Sequence, residues 1–318
     1  MDGLLVIDKP AGWTSHDAVA RTRRVLRERR VGHTGTLDPF ATGVLVVMVG
    51  RATRLAQFLA GADKEYEALV RFGYATDTGD LTGTPRLVAG ETARPCPDWS
   101  GAEIEAALAT LRGPIEQVPP MYSAKKVQGR KLYELARQGV AVERAAVPVV
   151  IHELETLPAA GALLRRNADG TCELALRVVC SAGTYVRVLA EDLGARLGTG
   201  AHLSALRRTR AGAFDLSAAV TLDALSAAAA AERAPEVLQQ LLQPPDAALS
   251  ELPSLHLTAA DARRVSHGAA VRVAPARWPE GALVRLYEPA GALLGVALYD
   301  GARGELRPRV MLSGAPEP

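Results

Sequence analysis

Residues 32 to 43 read Gly32-His33-Thr34-Gly35-Thr36-Leu37-Asp38-Pro39-Phe40-Ala41-Thr42-Gly43. Three glycines and three threonines in twelve residues suit neither a regular helix nor a regular strand. Pro39 confines Asp38 to an extended backbone, so the carboxylate is held on a stiff loop. Three uses fit such a segment: a catalytic aspartate, a glycine loop gripping a phosphate, or a structural turn. The residues by themselves leave all three open.

The flanking sequence gives the elements that must hold this loop. A strand-like run, Gly3-Leu4-Leu5-Val6-Ile7, leads into the turn Lys9-Pro10-Ala11-Gly12. Ser15 is then placed to cap a helix over 16–29, with Ala18, Thr22, Val25 and Leu26 as its apolar stripe. After the loop, Val44 to Val49 reads as a short buried strand. A second helix runs to about Ala60 and stops at Gly61. Residues 65–73 alternate, with Tyr66, Ala68, Val70 and Phe72 on one face and Glu65, Glu67 and Arg71 on the other, which predicts a half-buried strand. Ser100 and Glu103 have capping-box spacing for a helix ending near Gly113, and 147–157 and 172–180 are further strands. Tyr185 and Arg187 fall in the first turn of a helix with Val186, Leu189, Leu193 and Leu197 as its core stripe. No crossover helix follows each strand, so the expected class is α+β, a largely antiparallel mixed sheet flanked by helices.

Near residue 243 the texture changes. Gln243-Pro244-Pro245-Asp246 reads as a linker, followed by a helix between Thr258 and Gly268 and strands at Leu283–Tyr287 and Leu293–Tyr299. A chain of 318 residues exceeds what one core usually serves, so two domains are expected.

Composition excludes several classes. With 48% hydrophobic and 23% charged residues the chain can bury a large core. Cys172 and Cys180 share one strand, roughly 26 Å apart at ~3.3 Å per residue, and three cysteines give no disulfide framework. With no CxxC pair and six scattered histidines, no zinc site is expected. No apolar stretch approaches ~20 residues, and the first apolar run is too short for a signal peptide, so a cytoplasmic protein is expected. Only five of the 37 basic residues are lysine. The arginine excess by itself is what a GC-rich coding sequence produces; its clustering is the informative part.

The segment around Asp38 resembles the signature of the bacterial tRNA pseudouridine-55 synthases, the TruB family. It is preceded by Gly3-x-x-x-x-Asp8-Lys9-Pro10-x-Gly12-x-Thr14-Ser15. Lys64-x-Tyr66, Val118-Pro119-Pro120-x-Tyr122-Ser123-Ala124 and Cys180-Ser181-x-Gly183-Thr184-Tyr185-x-Arg187 follow in the family's order. Gly200-Ala201-His202-Leu203-x-x-Leu206-Arg207-Arg208-Thr209 completes the set, so the similarity spans about residues 3 to 215. The departures are Phe40 where Leu is usual, Ala182 where Lys is common, and a Pro-containing loop at 84–99.

The resemblance implies a pseudouridine synthase catalytic domain over 1–245, with an RNA-gripping insertion at about 119–146. It implies that Asp38 acts as nucleophile or base on uridine 55, flipped out of the T-loop of tRNA. The bond from N1 to C1′ is cleaved, the uracil turns, and it rejoins through C5. Atom count and redox state are unchanged, so no cofactor is expected. By the same resemblance Tyr66 stacks on the target base, and His33 meets the flipped nucleotide or the space it vacates. Arg187 pairs with Asp38 and keeps it ionised. Tyr185 lies on the substrate side, and Leu206 forms an apolar wall of the uracil pocket. Residues 250–318 resemble a PUA-type RNA-binding domain through Gly268-x-x-Val271 and Leu293-Leu294-Gly295. A stabilising β-module without RNA contact is the alternative there.

Three basic groups are candidates for phosphate contact: six arginines within 21–30; Lys125, Lys126, Arg130 and Lys131; and Arg207, Arg208 and Arg210. The second belongs to the insertion expected to grip the T-stem loop. The expected partner is therefore tRNA, met by a monomer with no obligate protein partner and no membrane. Two other readings are a non-catalytic tRNA-binding or folding protein and a guide-RNA-dependent synthase. The first does not require Asp38, and the second does not fit the absence of long terminal extensions.

Overall fold

The computed structural model describes residues 1–86, 95–123, 125–127, 129–140, 142–157, 162–274 and 277–312. In chain order the strands are β1 (Gly3–Lys9), β2 (Val31–Thr34), β3 (Thr42–Val49), β4 (Lys64–Phe72), β5 (Gly113–Gln117), β6 (Lys126–Val127), β7 (Arg130–Lys131), β8 (Val147–Thr156), β9 (Arg165–Arg166), β10 (Cys172–Cys180), β11 (Ala201–Ala211), β12 (Phe214–Asp215) and β13 (Val220–Thr221). The helices among them are α1 (Ser15–Leu26), α2 (Ala56–Leu59), α3 (Gly101–Ala109), α4 (Leu132–Arg137), α5 (Val186–Arg196), α6 (Leu222–Ala229) and α7 (Ala234–Gln240).

One sheet runs β13-β1-β3-β11-β4-β10-β8-β5. Only β1 with β13 and β11 with β3 pair in parallel; the other neighbours are antiparallel, as the missing crossover helices predict. Tyr66, Ala68, Val70 and Phe72 of β4 are buried on the face covered by α1, α3 and α5. Burying each large apolar side chain there contributes about 1.5–3 kcal/mol. Gly43 marks the contact between β3 and β11: a Cβ on it would lie 2.1 Å from the carbonyl oxygen of Arg208, and its φ is +101°. Only glycine fits there.

A second sheet, of β14 (Ser254–His256), β15 (Val271–Arg272), β16 (Leu283–Tyr287), β17 (Leu293–Asp300) and β18 (Glu305–Met311), follows the order β14-β16-β17-β18-β15, with α8 (Ala259–Ser266) beside it. Its core includes Val265, Val284, Leu286, Ala297 and Tyr299. The stretch read as a linker is not loose. Gln243 exchanges two backbone bonds with Leu4, at 2.7 and 2.9 Å, and Pro245–Leu249 forms a 3-10 turn. Leu4, Val6, Val44, Val46 and Met48 join Leu249, Val296, Val310 and Leu312 in one apolar cluster. β1 and β3 are apolar on both faces because both faces are covered.

Three local expectations are corrected. Thr14, not Ser15, caps α1, through a capping box with Asp17, and the helix ends at Leu26 with Arg27 in the left-handed region. The second helix is mostly a 3-10 turn, Gly50–Leu55, with four α-helical residues after it. Cys96 and Cys172 form a disulfide, Cα atoms 5.9 Å apart, and Cys180 is free and buried. The expectation weighed only cysteines of one strand. Cys96 lies in an irregular segment brought to β10 by contacts such as Cys96 N–H to the Gly170 carbonyl (3.0 Å) and Arg166 to the Cys96 carbonyl (2.9 Å).

Candidate active site

Asp38 is held by its neighbours before any substrate arrives. Ser15 is 1% exposed; its hydroxyl accepts from Leu37 N–H (2.9 Å) and donates to the Leu37 carbonyl (3.1 Å). Gly12 N–H donates to the Pro39 carbonyl (2.8 Å), and Ala41 N–H to the Asp38 carbonyl (3.1 Å). Lys9, fully buried, donates to the carbonyls of Pro10 (2.9 Å), Trp13 (2.7 Å) and Pro39 (3.4 Å). The segment 9–15 is thus the cradle of the loop. Burial pushes the Lys9 ammonium down to about 8, while Asp38 acts the other way.

Arg187 Nε lies 2.9 Å from Asp38 Oδ2, and its Nη2 donates to Asp38 Oδ1 at 3.2 Å. The same guanidinium donates to the carbonyls of Thr78 and Tyr122, each at 2.8 Å, and lies 3.8 Å from Asp80. One buried fork therefore joins the Asp38 loop, the turn at 76–82 and the corner before Ser123. Asp80 is fixed by Thr78 and Thr82 hydroxyls at 2.9 and 2.6 Å. Arg187 starts α5 beyond Tyr185, whose N–H donates to Gln117 Oε1 (2.9 Å) and whose carbonyl accepts from Gln117 Nε2 (3.3 Å).

Asp38, Tyr66, Tyr185, Arg187 and Leu206 line a cavity of about 240 Å³, together with Lys64, Ser123 and Arg208. The Asp38 side chain keeps 31% of its surface open, but it opens into this protein-walled space. Desolvation therefore dominates and raises its carboxyl above the usual aspartate range; Arg187 pulls it down and Asp80 pushes it up. Burial likewise raises the Tyr66 phenol, against the opposing pull of Arg208.

The expected site residues do not all converge. His33 is on β2, outside the cavity wall, edge-on to His16 with ring centroids 5.6 Å apart. Its Nδ1 has no hydrogen-bond partner among the described residues. Burial, with His16 and Arg208 nearby, pushes its imidazole down to about 4, so the ring is neutral near pH 7. Of the second basic group, Lys125 and Arg130 do not line the cavity; Lys126, Arg130 and Lys131 belong to the small β6–β7 hairpin, and Arg130 is exposed and donates to Gln138 (2.7 Å).

The third basic group is engaged largely within the protein. Arg207 pairs with Asp8 through two contacts of 2.8 and 3.1 Å, Arg210 lies 3.8 Å from Glu65, and Arg208 is buried. These side chains are committed to the protein. By contrast, Arg23, Arg24, Arg27, Arg29 and Arg30 are exposed. Sequence reasoning gave no role to Lys9, Asp80, Gln117 or Ser123. The Thr76-Asp77-Thr78-Gly79-Asp80 run, dense in side chains that bond their own backbone, was the readable signal for Asp80.

Comparison with known proteins identifies the family of the chain. Residues 23–186 match the TruB family pseudouridylate synthase (N terminal domain), 187–250 the tRNA pseudouridylate synthase B C-terminal domain, and 253–312 the pseudouridine synthase II TruB C-terminal region. The chain is 47% identical to a tRNA pseudouridine synthase B of Aromatoleum aromaticum, covering 98% of this chain and 93% of that protein. It is 44% identical to one of Thermobifida fusca, covering 99% of each. Among solved structures it is similar to Cbf5 in a Cbf5-Nop10-Gar1 complex, with a TM-score of 0.71, 27% identity, and 98% of this chain and 85% of that one covered. The chain belongs to the TruB family of pseudouridine synthases. Its reaction class is therefore isomerisation of uridine in RNA. Among the described residues no helix is long and apolar enough to cross a membrane.

Proposed function

We propose that the protein converts uridine 55 in the T-loop of tRNA to pseudouridine, with Asp38 as nucleophile or base. The observation that carries this is the Asp38–Arg187 pair at 2.9 Å on the wall of a cavity that also holds Tyr66. A pure tRNA-binding or folding protein has no use for a carboxylate clamped inside a cavity too small for a helix. The uridine is flipped out of its stack, at a cost of a few kcal/mol, and stacks on Tyr66, which returns about 1–3 kcal/mol. Asp38 attacks or deprotonates the nucleotide, and N1 leaves C1′. The uracil turns within the cavity, C5 bonds to C1′, and C5 gives up its proton while N1 gains one. The detached base never leaves, so one carboxylate suffices where a glycosidase needs two. Leu206 supplies an apolar wall and Tyr185 a polar one, while His33, neutral, meets the nucleotide or its vacated place.

In this reading residues 1–245 carry catalysis, and the insertion at 119–146 grips the T-stem through Lys125, Lys126, Arg130 and Lys131. Residues 250–318 form a PUA-like module. In the same reading the protein acts as a cytoplasmic monomer without an obligate protein partner. The reading is supported by the names of relatives that align over nearly their whole length. The test is purified enzyme with unmodified tRNA transcript, followed by nucleotide-resolution mapping of pseudouridine. Modification at the T-loop uridine without an added guide RNA is the expected result. Activity only with a guide RNA would favour the guide-dependent reading, and no pseudouridine anywhere would sink both.

A further inference from the structure

We propose that the Ser123 hydroxyl is a substrate-contact group, holding the flipped uracil through whichever of its two carbonyl oxygens faces it. The assignment rests on the reading of the site given above. Ser123 is 5% exposed and lines the cavity with Asp38 and Tyr66. Its hydroxyl has no hydrogen-bond partner in the protein. Among the described residues, the other buried side-chain atoms in that condition are on His33, Arg144 and Thr199, none of which lines the cavity. Other polar groups of the wall are engaged. The Ser181 hydroxyl accepts from Val150 N–H (2.9 Å), and that of Thr184 donates to the Ser181 carbonyl (2.9 Å). Lys64 donates to the Ala60 carbonyl (3.0 Å). A buried hydroxyl without a partner is costly, and natural proteins keep few of them. On the wall of a binding cavity, the partner is a polar atom of the ligand.

The backbone fixes where this hydroxyl sits. The Tyr122 carbonyl accepts from Arg187 Nη2 (2.8 Å), and the same guanidinium clamps Asp38. On the other side the Ser123 carbonyl accepts from Tyr133 N–H (3.1 Å), in the first turn of α4. Ser123 is therefore held at a set place relative to the carboxylate, between the Asp38 clamp and the insertion.

The symmetry of uracil gives one such donor a use on both sides of the reaction. To rejoin through C5, the detached base turns half a revolution about the line from N3 to C6. That turn exchanges N1 with C5, and it exchanges the C2 carbonyl with the C4 carbonyl. A hydroxyl that donates to one carbonyl before the turn meets the other, at the same place, after it. Serine suits the task, since its single O–H rotates to follow its acceptor. The base is held in the uridine and again in the product, and the turn breaks and remakes one hydrogen bond.

The test is Ser123→Ala and Ser123→Cys in the full-length protein, with synthetic T-arm RNAs bearing uridine, 2-thiouridine or 4-thiouridine at the target. Sulfur in place of a carbonyl oxygen is a poor acceptor, and a thiol is a weak donor of nearly the hydroxyl's shape. Both variants should lose roughly 3- to 10-fold in kcat/KM on uridine, the scale of one net hydrogen bond. With at least one thio-RNA the loss should shrink towards none, because the bond is already weakened there. Each thio-RNA is also measured as a competitor, so the comparison is read even where it is not turned over. The melting temperature should hold in both variants, because no protein group loses a partner. A wild-type kcat/KM in either variant, an undiminished loss with both thio-RNAs, or a melting temperature lower by several degrees would each overturn the proposal. A target 2′-deoxyuridine is the remaining arm: a loss that vanishes with it alone assigns the hydroxyl to the ribose and overturns the contact to uracil. Conversion of ordinary T-loop uridine by the wild-type protein, measured alongside, separates failure of this assignment from failure of the functional reading.

Discussion

Arg187 and Asp38, 149 positions apart in sequence, meet at 2.9 Å with the arginine side chain only 5% exposed. The pair is one edge of a larger arrangement, because Arg187 also binds the Thr78 and Tyr122 carbonyls and faces Asp80. Opposite charges within about 4–6 Å favour the ionised carboxylate, while burial disfavours it. Here burial is the larger effect, and the carboxyl ends above its ordinary range.

The pH profile follows from that direction. In the proposed mechanism Asp38 acts as its carboxylate, so the rate should fall as pH drops through its folded value. That value is raised, so the acid limb lies above the ~3.9 of an exposed aspartate. Arg187→Lys weakens the contribution that lowers it, so the acid limb moves to higher pH and the plateau rate drops, by roughly 10²-fold if the carboxylate is displaced by about 1 Å. His33, held near 4, adds no second step between pH 5 and 8. Single-turnover rates from pH 4 to 8 for both proteins check this; a limb that stays put in the variant would remove Arg187 from the ionisation of Asp38.

Ser15 links the two motifs of the site. Ser15→Ala leaves the Leu37 N–H and carbonyl buried without their partner, which costs about 1–3 kcal/mol. The melting temperature should fall by several degrees, and turnover should fall more than tRNA affinity. Loss of stability at an unchanged rate would mean that the loop keeps its shape without the hydroxyl.

Salt dependence separates the basic groups. Neutralising Lys125, Lys126, Arg130 and Lys131 should flatten the logarithmic salt slope of tRNA binding by roughly 0.7 to 0.9 per lost phosphate contact. Arg207→Gln should leave the slope alone and reduce stability instead, because it strands Asp8. Equal slopes for wild type and the four-residue variant would make the insertion's charges a solvated face.

Much of the sheet was legible because its strands carry their own period: β4 alternates, and β8 and β10 fall where their apolar runs lie. The helix caps at Ser100 and Thr258 were readable for the same local reason. What failed was non-local. Ser15 looks like a cap until Leu37 is brought beside it, and Arg208 looks like one of three surface arginines until β3 and β4 close over it. Cys96 had no address in an irregular segment. The Gln243–Asp246 stretch has the composition of a linker, but its backbone completes an edge of β1. Motif resemblance supplied the roles proposed for Asp38, Tyr66 and Arg187, whose convergence on one cavity no periodicity could reveal.

The central claim is that Asp38 performs the chemistry and not the binding. Asp38→Asn keeps the shape of the side chain and most of its bonding to Arg187 but removes the nucleophile and base. The decisive measurement is pseudouridine formation at the T-loop uridine under single-turnover conditions, with tRNA affinity measured on the same preparation. The account predicts no detectable product, with affinity within a few fold of wild type. Product formed at a rate near that of the wild-type enzyme would contradict it.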